Sequence, residues 1–387
     1  VRRLLFLACA VVFLDVTFFA VLTPLLPDYR SDYSLSEAGA GLLSGSFAAG
    51  TLVMALPAGW YAARFGSRRA VLTGLVGIGI FSPIFGFANE IWLLDTSRFF
   101  QGASGALMWA GSISWVIQAG PKDQRGALVG TVIAAAVVGE LLGAPLGALA
   151  HQVGTEIVFG SVLVLAAFLF AVAWSIPFVA DGEPQTVNGA ISAARGSKLL
   201  PAIWLLAAPS FAFGMTVLVA PLKMDDLGAS PFLIAAAFAA GSVTEAIVGP
   251  LVGKLSDRVG RTGPYLVGAV VVAFAVAALG TFSTLPAIFI AVVFIAFGSG
   301  MAFTPASTLV ADVAAGAGLN QGYASGTSNV AWGGGQMLGA FGGGLLASAG
   351  GYLLPALVTV VVLGSAALVA KAMNGKLPDE QTTTGAI

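Results

Sequence analysis

The sequence predicts an all-α integral membrane protein of twelve transmembrane helices, built as two related six-helix bundles. Three observations predict it. Hydrophobic residues make up 58% of the 387 residues and charged residues 9%, with a mean hydropathy of +0.94. A water-facing domain carries about 25% charged residues, so the solvent here is lipid. The apolar runs, at about 20 residues per crossing, suffice for roughly twelve crossings with short loops. Finally, a basic, glycine-containing hinge occurs twice: GWYAARFGSRR from Gly59 to Arg69, and GKLSDRVGR from Gly253 to Arg261. Gly59 and Gly253 lie 194 residues apart, as do Gly66 and Gly260, which is half of 387. Unpaired backbone groups in hydrocarbon cost several kcal/mol each, so helix is the economical choice. The alternation that a membrane β-barrel needs is absent.

The first span is expected near 4–27. Arg2 and Arg3 precede it, but the run from Leu4 to Pro27 exceeds the ~7–15 residues of a cleavable signal core. The second span, near 37–63, ends on the first hinge. Spans near 70–88, 91–119, 127–150 and 155–178 complete an N-terminal bundle, residues 1–178. The polar segment 179–198 reads as a linker. A C-terminal bundle, residues 199–372, holds spans near 199–222, 231–253, 263–283, 286–313, 321–347 and 351–372. Pro209 interrupts the first of these beside Phe211, Phe213 and Gly214, the second ends on the other hinge, and a polar tail follows from 373 to 387. Of the 17 lysines and arginines, Arg98 lies within a span and only Arg30 and Lys223 fall opposite the termini. That bias places both termini in the cytoplasm of a multi-pass cell-membrane protein.

An ionisable group inside a membrane costs at least about 2.5–3.5 kcal/mol, so each one asks for a reason. Asp15, Asp95, Glu140, Glu245, Asp312 and Arg98 lie within the predicted spans. Asp15 is midway along the first, and Phe18, Phe19 and Leu22 follow at helical spacing. A carboxylate beside aromatic rings suits an organic cation; the alternative is an acid paired to a neighbouring helix. Asp95 and Arg98, three apart, either neutralise each other or serve proton chemistry. Trp109, almost three turns beyond Arg98, either faces a cavity or packs in core or lipid. Glu140 and Glu245 lie in the fifth and eighth spans. Two close carboxylates cannot both ionise cheaply, which would make a proton-carrying pair; alternatively each hydrogen-bonds locally as a neutral acid. Asp312 is expected at the membrane boundary, paired to a loop arginine. His151, at a span end, carries no assigned role. Gly139, Gly143 and Gly147 recur 196 residues on as Gly335, Gly339 and Gly343, flattening one helix face for close packing. Pro145 removes a helix hydrogen bond beside them. Phe303, Asn329 and Trp332 are further cavity candidates.

Together these motifs resemble the major facilitator superfamily of transporters. Gly253, Asp257, Arg258, Gly260 and Arg261 fit its G-x-x-x-D-R-x-G-R loop signature. Gly59, Arg64 and Gly66 match it in the first copy, which departs at Ala63 and Ser67, with Arg68 one place beyond. Arg98, Gln101, Gly102 and Gly105 resemble the fourth-helix motif, whose arginine is tied to proton coupling. GELLGAPLGA resembles the antiporters' fifth-helix signature, with Gly143-Ala144-Pro145 replacing the usual glycine-proline pair. The first helix is similar to vesicular amine transporters and bacterial multidrug relatives, whose first-helix aspartate, here Asp15, serves amine recognition and proton coupling. Phe47 stands where those carry a second-helix lysine, and Asn329 where they carry an eleventh-helix aspartate. The resemblance implies a pseudo-twofold between the bundles, the fifth and eighth helices facing each other, and a latch formed by Asp257, Arg258 and Arg261 at the inner gate.

The expected function is therefore proton-coupled antiport of small lipophilic cations through a central chamber open alternately to each side. Its partners are a small-molecule substrate, protons and the bilayer, with the chain acting as a monomer. Export of a neutral sugar or metabolite is the alternative. A net charge of −1 argues against nucleic acid. No phosphate-binding G-x-x-x-x-G-K-S loop, H-E-x-x-H or metal-ligand cluster appears, so neither cofactor, metal nor catalytic residue is expected. Cys9 is the single cysteine and forms no internal disulfide.

Overall fold

The structure, a computed structural model, describes residues 2–121, 124–176, 197–319 and 321–374. The linker from 179 to 196, the tail beyond 374, and Lys122, Arg195 and Lys376 lie outside them. The described residues form thirteen α-helices and no strand. They are α1 (Arg2–Ala20), α2 (Leu22–Asp32), α3 (Glu37–Phe65), α4 (Ser67–Phe87), α5 (Ile91–Ala119), α6 (Arg125–Val153) and α7 (Thr155–Ser175) in the first half. The second half holds α8 (Leu199–Asp226), α9 (Pro231–Val259), α10 (Thr262–Thr281), α11 (Leu285–Gly316), α12 (Gln321–Gly350) and α13 (Leu353–Asn374). α1 and α2 form one crossing, so the count of crossings is the expected twelve. Large apolar side chains such as Val164, Phe168, Phe274, Val361 and Leu368 stand on the outside, as a lipid-facing surface requires.

The interruption in the first crossing has a covalent cause. Pro24 lacks an N–H, and its ring crowds the carbonyl four residues back, at Ala20, where α1 ends. The interruption expected at Pro209 does not occur. α8 runs unbroken through Pro209 and Pro221, and α6 through Pro145. Close neighbouring helices let membrane helices tolerate proline.

The sequence repeat is also a repeat of contacts. Ser36 caps α3 by accepting from Gly39 N–H at 3.2 Å; Ser230, 194 residues on, caps α9 by accepting from Leu233 N–H at 3.3 Å. The hinge glycines Gly66 and Gly260 both take left-handed φ, 97° and 84°, which other residues resist. Gly139 and Gly143 seat α6 on the carbonyls of Phe13 and Thr17 in α1. Gly335 and Gly339 seat α12 on the carbonyls of Ala207 and Phe211 in α8, again 194 residues on. Small residues at these positions let the backbones touch. The same logic is sharpest within the first half. A Cβ on Gly102 would run into the Phe47 carbonyl of α3, and one on Gly50 into the Phe99 carbonyl of α5. Gly102→Val is therefore expected to cost about 3 kcal/mol or more. Gel filtration of detergent extracts should show no monodisperse protein; a normal peak would contradict the backbone contact.

The halves meet along α3–α12, α6–α9 and α2–α8. At one end Arg30 of α2 crosses to α8, pairing with Asp225 at 3.1 Å and Asp226 at 2.6 Å. Tyr352 donates to Asp226 at 2.6 Å in the same cluster. Here, too, Ala144 and Ala148 of α6 pack against Ala235 and Phe238 of α9. The conformation is thus closed at the Arg30 end. The aspartates are about 40% exposed, so each pair is worth no more than about 1 kcal/mol. Arg30→Gln should shift the balance toward opening at this end by up to about thirty-fold. Labelling rates of a cysteine introduced at Phe213, in a Cys9→Ser background, would report it; unchanged rates would remove the gate.

Candidate substrate and proton site

Asp15 lies buried midway along the first crossing, in α1. Trp109 Nε1 of α5 donates to its Oδ2 at 3.0 Å, while Oδ1 has no hydrogen-bond partner among the described residues. Gly105 makes the approach possible, since a Cβ there would lie 2.5 Å from Oδ1. One turn after Asp15, Phe19 points between the halves. Its ring meets Phe47 at 5.1 Å, Trp332 of α12 at 5.7 Å and Phe213 of α8 at 6.3 Å. These rings offer electron-rich faces beside a carboxylate.

Arg98 is fully buried beneath this cluster. Its guanidinium donates to the carbonyls of Phe18 (3.1 Å) and Phe19 (3.2 Å) and to Gln101 Oε1 (3.0 Å), and Gln101 in turn donates to Ser82. It also sits over the rings of Phe47 and Phe85, at 5.0 and 5.7 Å. A helix C-terminus leaves carbonyls that a cation satisfies, so Arg98 braces the last turn of α1 where Pro24 ends it.

Glu140 and Glu245 occupy the facing helices α6 and α9, close enough for their charges to interact. The Ser242 hydroxyl lies beside Glu140 and donates to the Phe238 carbonyl at 3.1 Å. Glu140, Ser242, Phe19, Thr23, Phe213 and Phe238 line a pocket of about 10 Å³, room for about one water. Drug-sized ligands occupy about 300–1,000 Å³, so the halves must part to admit one.

The Major Facilitator Superfamily model matches residues 6–222 and 203–385. The chain belongs to the major facilitator superfamily. The matched family is one of multi-pass membrane transporters. Two solved structures share the superfamily fold along nearly the whole chain. A D-xylose-proton symporter gives a TM-score of 0.75 at 17% identity, covering 97% of this chain and 98% of its own. A bacterial homologue of the human lysosomal transporter Spinster, inward-facing and unoccupied, gives 0.76 at 16% identity, covering 95% and 96%. Among curated relatives, the MFS-type transporter ppzB of Metarhizium rileyi (strain RCEF 4871) is 30% identical over 165 residues, 41% of this chain. The quinolone resistance protein NorA of Staphylococcus aureus is 24% identical over 180 residues, 46% of this chain. The matches span only 34% and 45% of those relatives' own lengths.

Several residues sit differently in this superfamily member than the motifs suggested. Phe18 does not share the chamber with Phe19: at 100° per residue it falls on another face of α1, and its ring packs on Phe159 at 5.7 Å. Phe213, not Phe211, carries the ring on the chamber; Phe211 supplies the backbone seat for Gly339. Phe303 packs against the bundle core. Arg98 spends its donors on carbonyls and Gln101 rather than on Asp95, whose Oδ1 is buried without a described partner. The expected latch of Asp257 with Arg261 is not formed: Arg261 pairs with Asp312 of α11 at 2.5 Å, while Asp257 stands exposed. In the first copy, Arg68 donates to the Trp174 carbonyl and stacks on its ring, so both hinge arginines hold their own half. Trp109 reaches Asp15 and Trp332 reaches Phe19, while Asn329 Nδ2 is buried without a partner among the described residues. His151 pairs with Asp28 at 2.6 Å. Lys223 donates to the carbonyls of Leu279 and Gly280, at 2.7 and 3.0 Å, closing the end of α10. Sequence reasoning passed over Ser242 and Gln336; only the latter carried a usable signal, through the repeat.

Proposed function

We propose that this transporter exports small, lipophilic organic cations in exchange for protons. One observation carries the reading: the Asp15 carboxylate is buried midway along the first crossing, half-satisfied by Trp109, one turn from the Phe19–Trp332–Phe213 contact that joins the halves. The membrane cost of an acid makes that position purposeful. Facing Glu140 and Glu245 supply a second titratable group at the α6–α9 seam. Protons entering from outside neutralise these acids, displace the cation, and leave again when the chamber opens inward. One charge moving inward gains about 2.3 kcal/mol per 100 mV, enough to drive accumulation. Similarity to a quinolone resistance protein agrees with a drug-like substrate. On this reading the protein works as a monomer in the cell membrane with both termini cytoplasmic. Residues 1–178 and 199–372 rock about the chamber, tethered by the linker 179–198.

Reconstitution into proteoliposomes tests the proposal. A pH gradient should drive accumulation of tetraphenylphosphonium, and a protonophore should collapse it. Cation flux indifferent to the gradient, or movement of neutral sugars alone, would overturn it.

A further inference from the structure

Gln336 sits midway along α12 with no exposed surface, and neither its amide nitrogen nor its amide oxygen has a hydrogen-bond partner among the described residues. Buried amides normally have partners. Asn329, two turns earlier, has an unpartnered Nδ2. At 100° per residue, Asn329, Trp332 and Gln336 fall within about 60° of one another. Leu338, Phe341 and Leu345 mark the opposite, lipid-facing side of the helix, at 53%, 38% and 49% exposure. The stripe therefore faces the space between the halves, where Trp332 meets Phe19.

The repeat explains why the amide is left without a partner. Gly139 corresponds to Gly335, so Glu140 corresponds to Gln336. Across the α6–α9 seam Glu140 has Ser242 beside it. At 194 residues' offset, the α3 position equivalent to Ser242 is Ala48, which has no hydroxyl. The equivalent of Glu245 is Thr51, whose hydroxyl already bonds the carbonyls of Phe47 and Gly102, both at 3.2 Å. One seam holds a titratable pair; the other holds a neutral amide that α3 does not answer.

We propose that Gln336, with Asn329, hydrogen-bonds the transported molecule. The substrate class is then an organic cation with a planar body for Phe19 and Trp332 that also carries a neutral carbonyl, amide or hydroxyl group. This rests on the cation reading above and adds to it a specificity-determining residue. An amide offers both a donor and an acceptor, so it accommodates either polarity of neutral group.

Two probes test it on the purified full chain: tetraphenylphosphonium, and the same cation with a carboxamide on one ring. The unmodified protein should bind the carboxamide cation about ten-fold more tightly. Gln336→Leu should bring the ratio close to one without weakening tetraphenylphosphonium. Its ligand-free Tm should hold or rise, because an unsatisfied amide has been removed; Gln336→Met, closer in shape, should behave alike. An unchanged ratio in both variants overturns the proposal and leaves the cation reading standing. Equal loss of both cations with a lowered Tm makes Gln336 a structural residue and also overturns it. Failure of the unmodified protein to bind either cation overturns the cation reading and this inference together.

Discussion

An Asp15→Asn variant is expected to lose pH-driven cation accumulation by at least about 100-fold, or about 2.7 kcal/mol. Asparagine keeps the size of the side chain, and its oxygen can still accept from Trp109, so the fold of α1 against α5 survives. What disappears is the charge and the site for a proton. A carboxylate and a cation about 4 Å apart at an effective dielectric of 20 attract by about 4 kcal/mol, more than the predicted loss requires. The pH dependence has a definite sign. Protonation removes the negative charge, so the unmodified protein should release tetraphenylphosphonium as pH falls. The variant should bind weakly at every pH, with a flat profile. Equilibrium binding across pH decides it; a variant that keeps the pH-dependent release would exclude Asp15 as the responsible acid.

The second large effect concerns the α6–α9 seam. Glu245→Gln and Glu140→Gln should each abolish the dependence of transport on the pH gradient while leaving downhill exchange of cation for cation intact. The chemistry is that of two neighbouring carboxylates sharing a proton. Glutamine at position 140 can still hydrogen-bond Ser242, and at neither position does it have a proton to give up. Counterflow and gradient-driven uptake in the same vesicles separate the outcomes. If both variants still couple to the gradient, the pair does not carry the proton.

The twelve crossings and the half-chain repeat were legible because both rest on local chemistry: apolar length, a left-handed glycine at Gly66 and Gly260, and Ser36 and Ser230 as caps. Asp15 stood out because an acid in an apolar run is expensive. Rotation about the helix was harder to read. Phe18 and Phe19 are adjacent letters, yet one packs against Phe159 and the other faces Trp332. Arg261 pairs with Asp312, as a boundary acid near a loop arginine allows, while the motif alone pointed to Asp257. The Arg30 pairs join residues 195 and 196 apart, and no helical period relates partners on two different helices. Gln336 was accessible in principle, since the offset that relates Gly139 to Gly335 carries Glu140 onto it.

Ten crossings among the described residues are apolar and long enough to span lipid by themselves; α5 and α12 are not among them. These two carry Asp95, Arg98 and Gln101, and Asn329, Gln336 and a glycine run, polar groups that weaken their own partitioning into lipid. During biosynthesis each must therefore be chaperoned into the bilayer by helices already there, α5 by α3 and α4, and α12 by α8 and α3. Because α3 belongs to the opposite half, α12 settles only against an N-terminal bundle already in place.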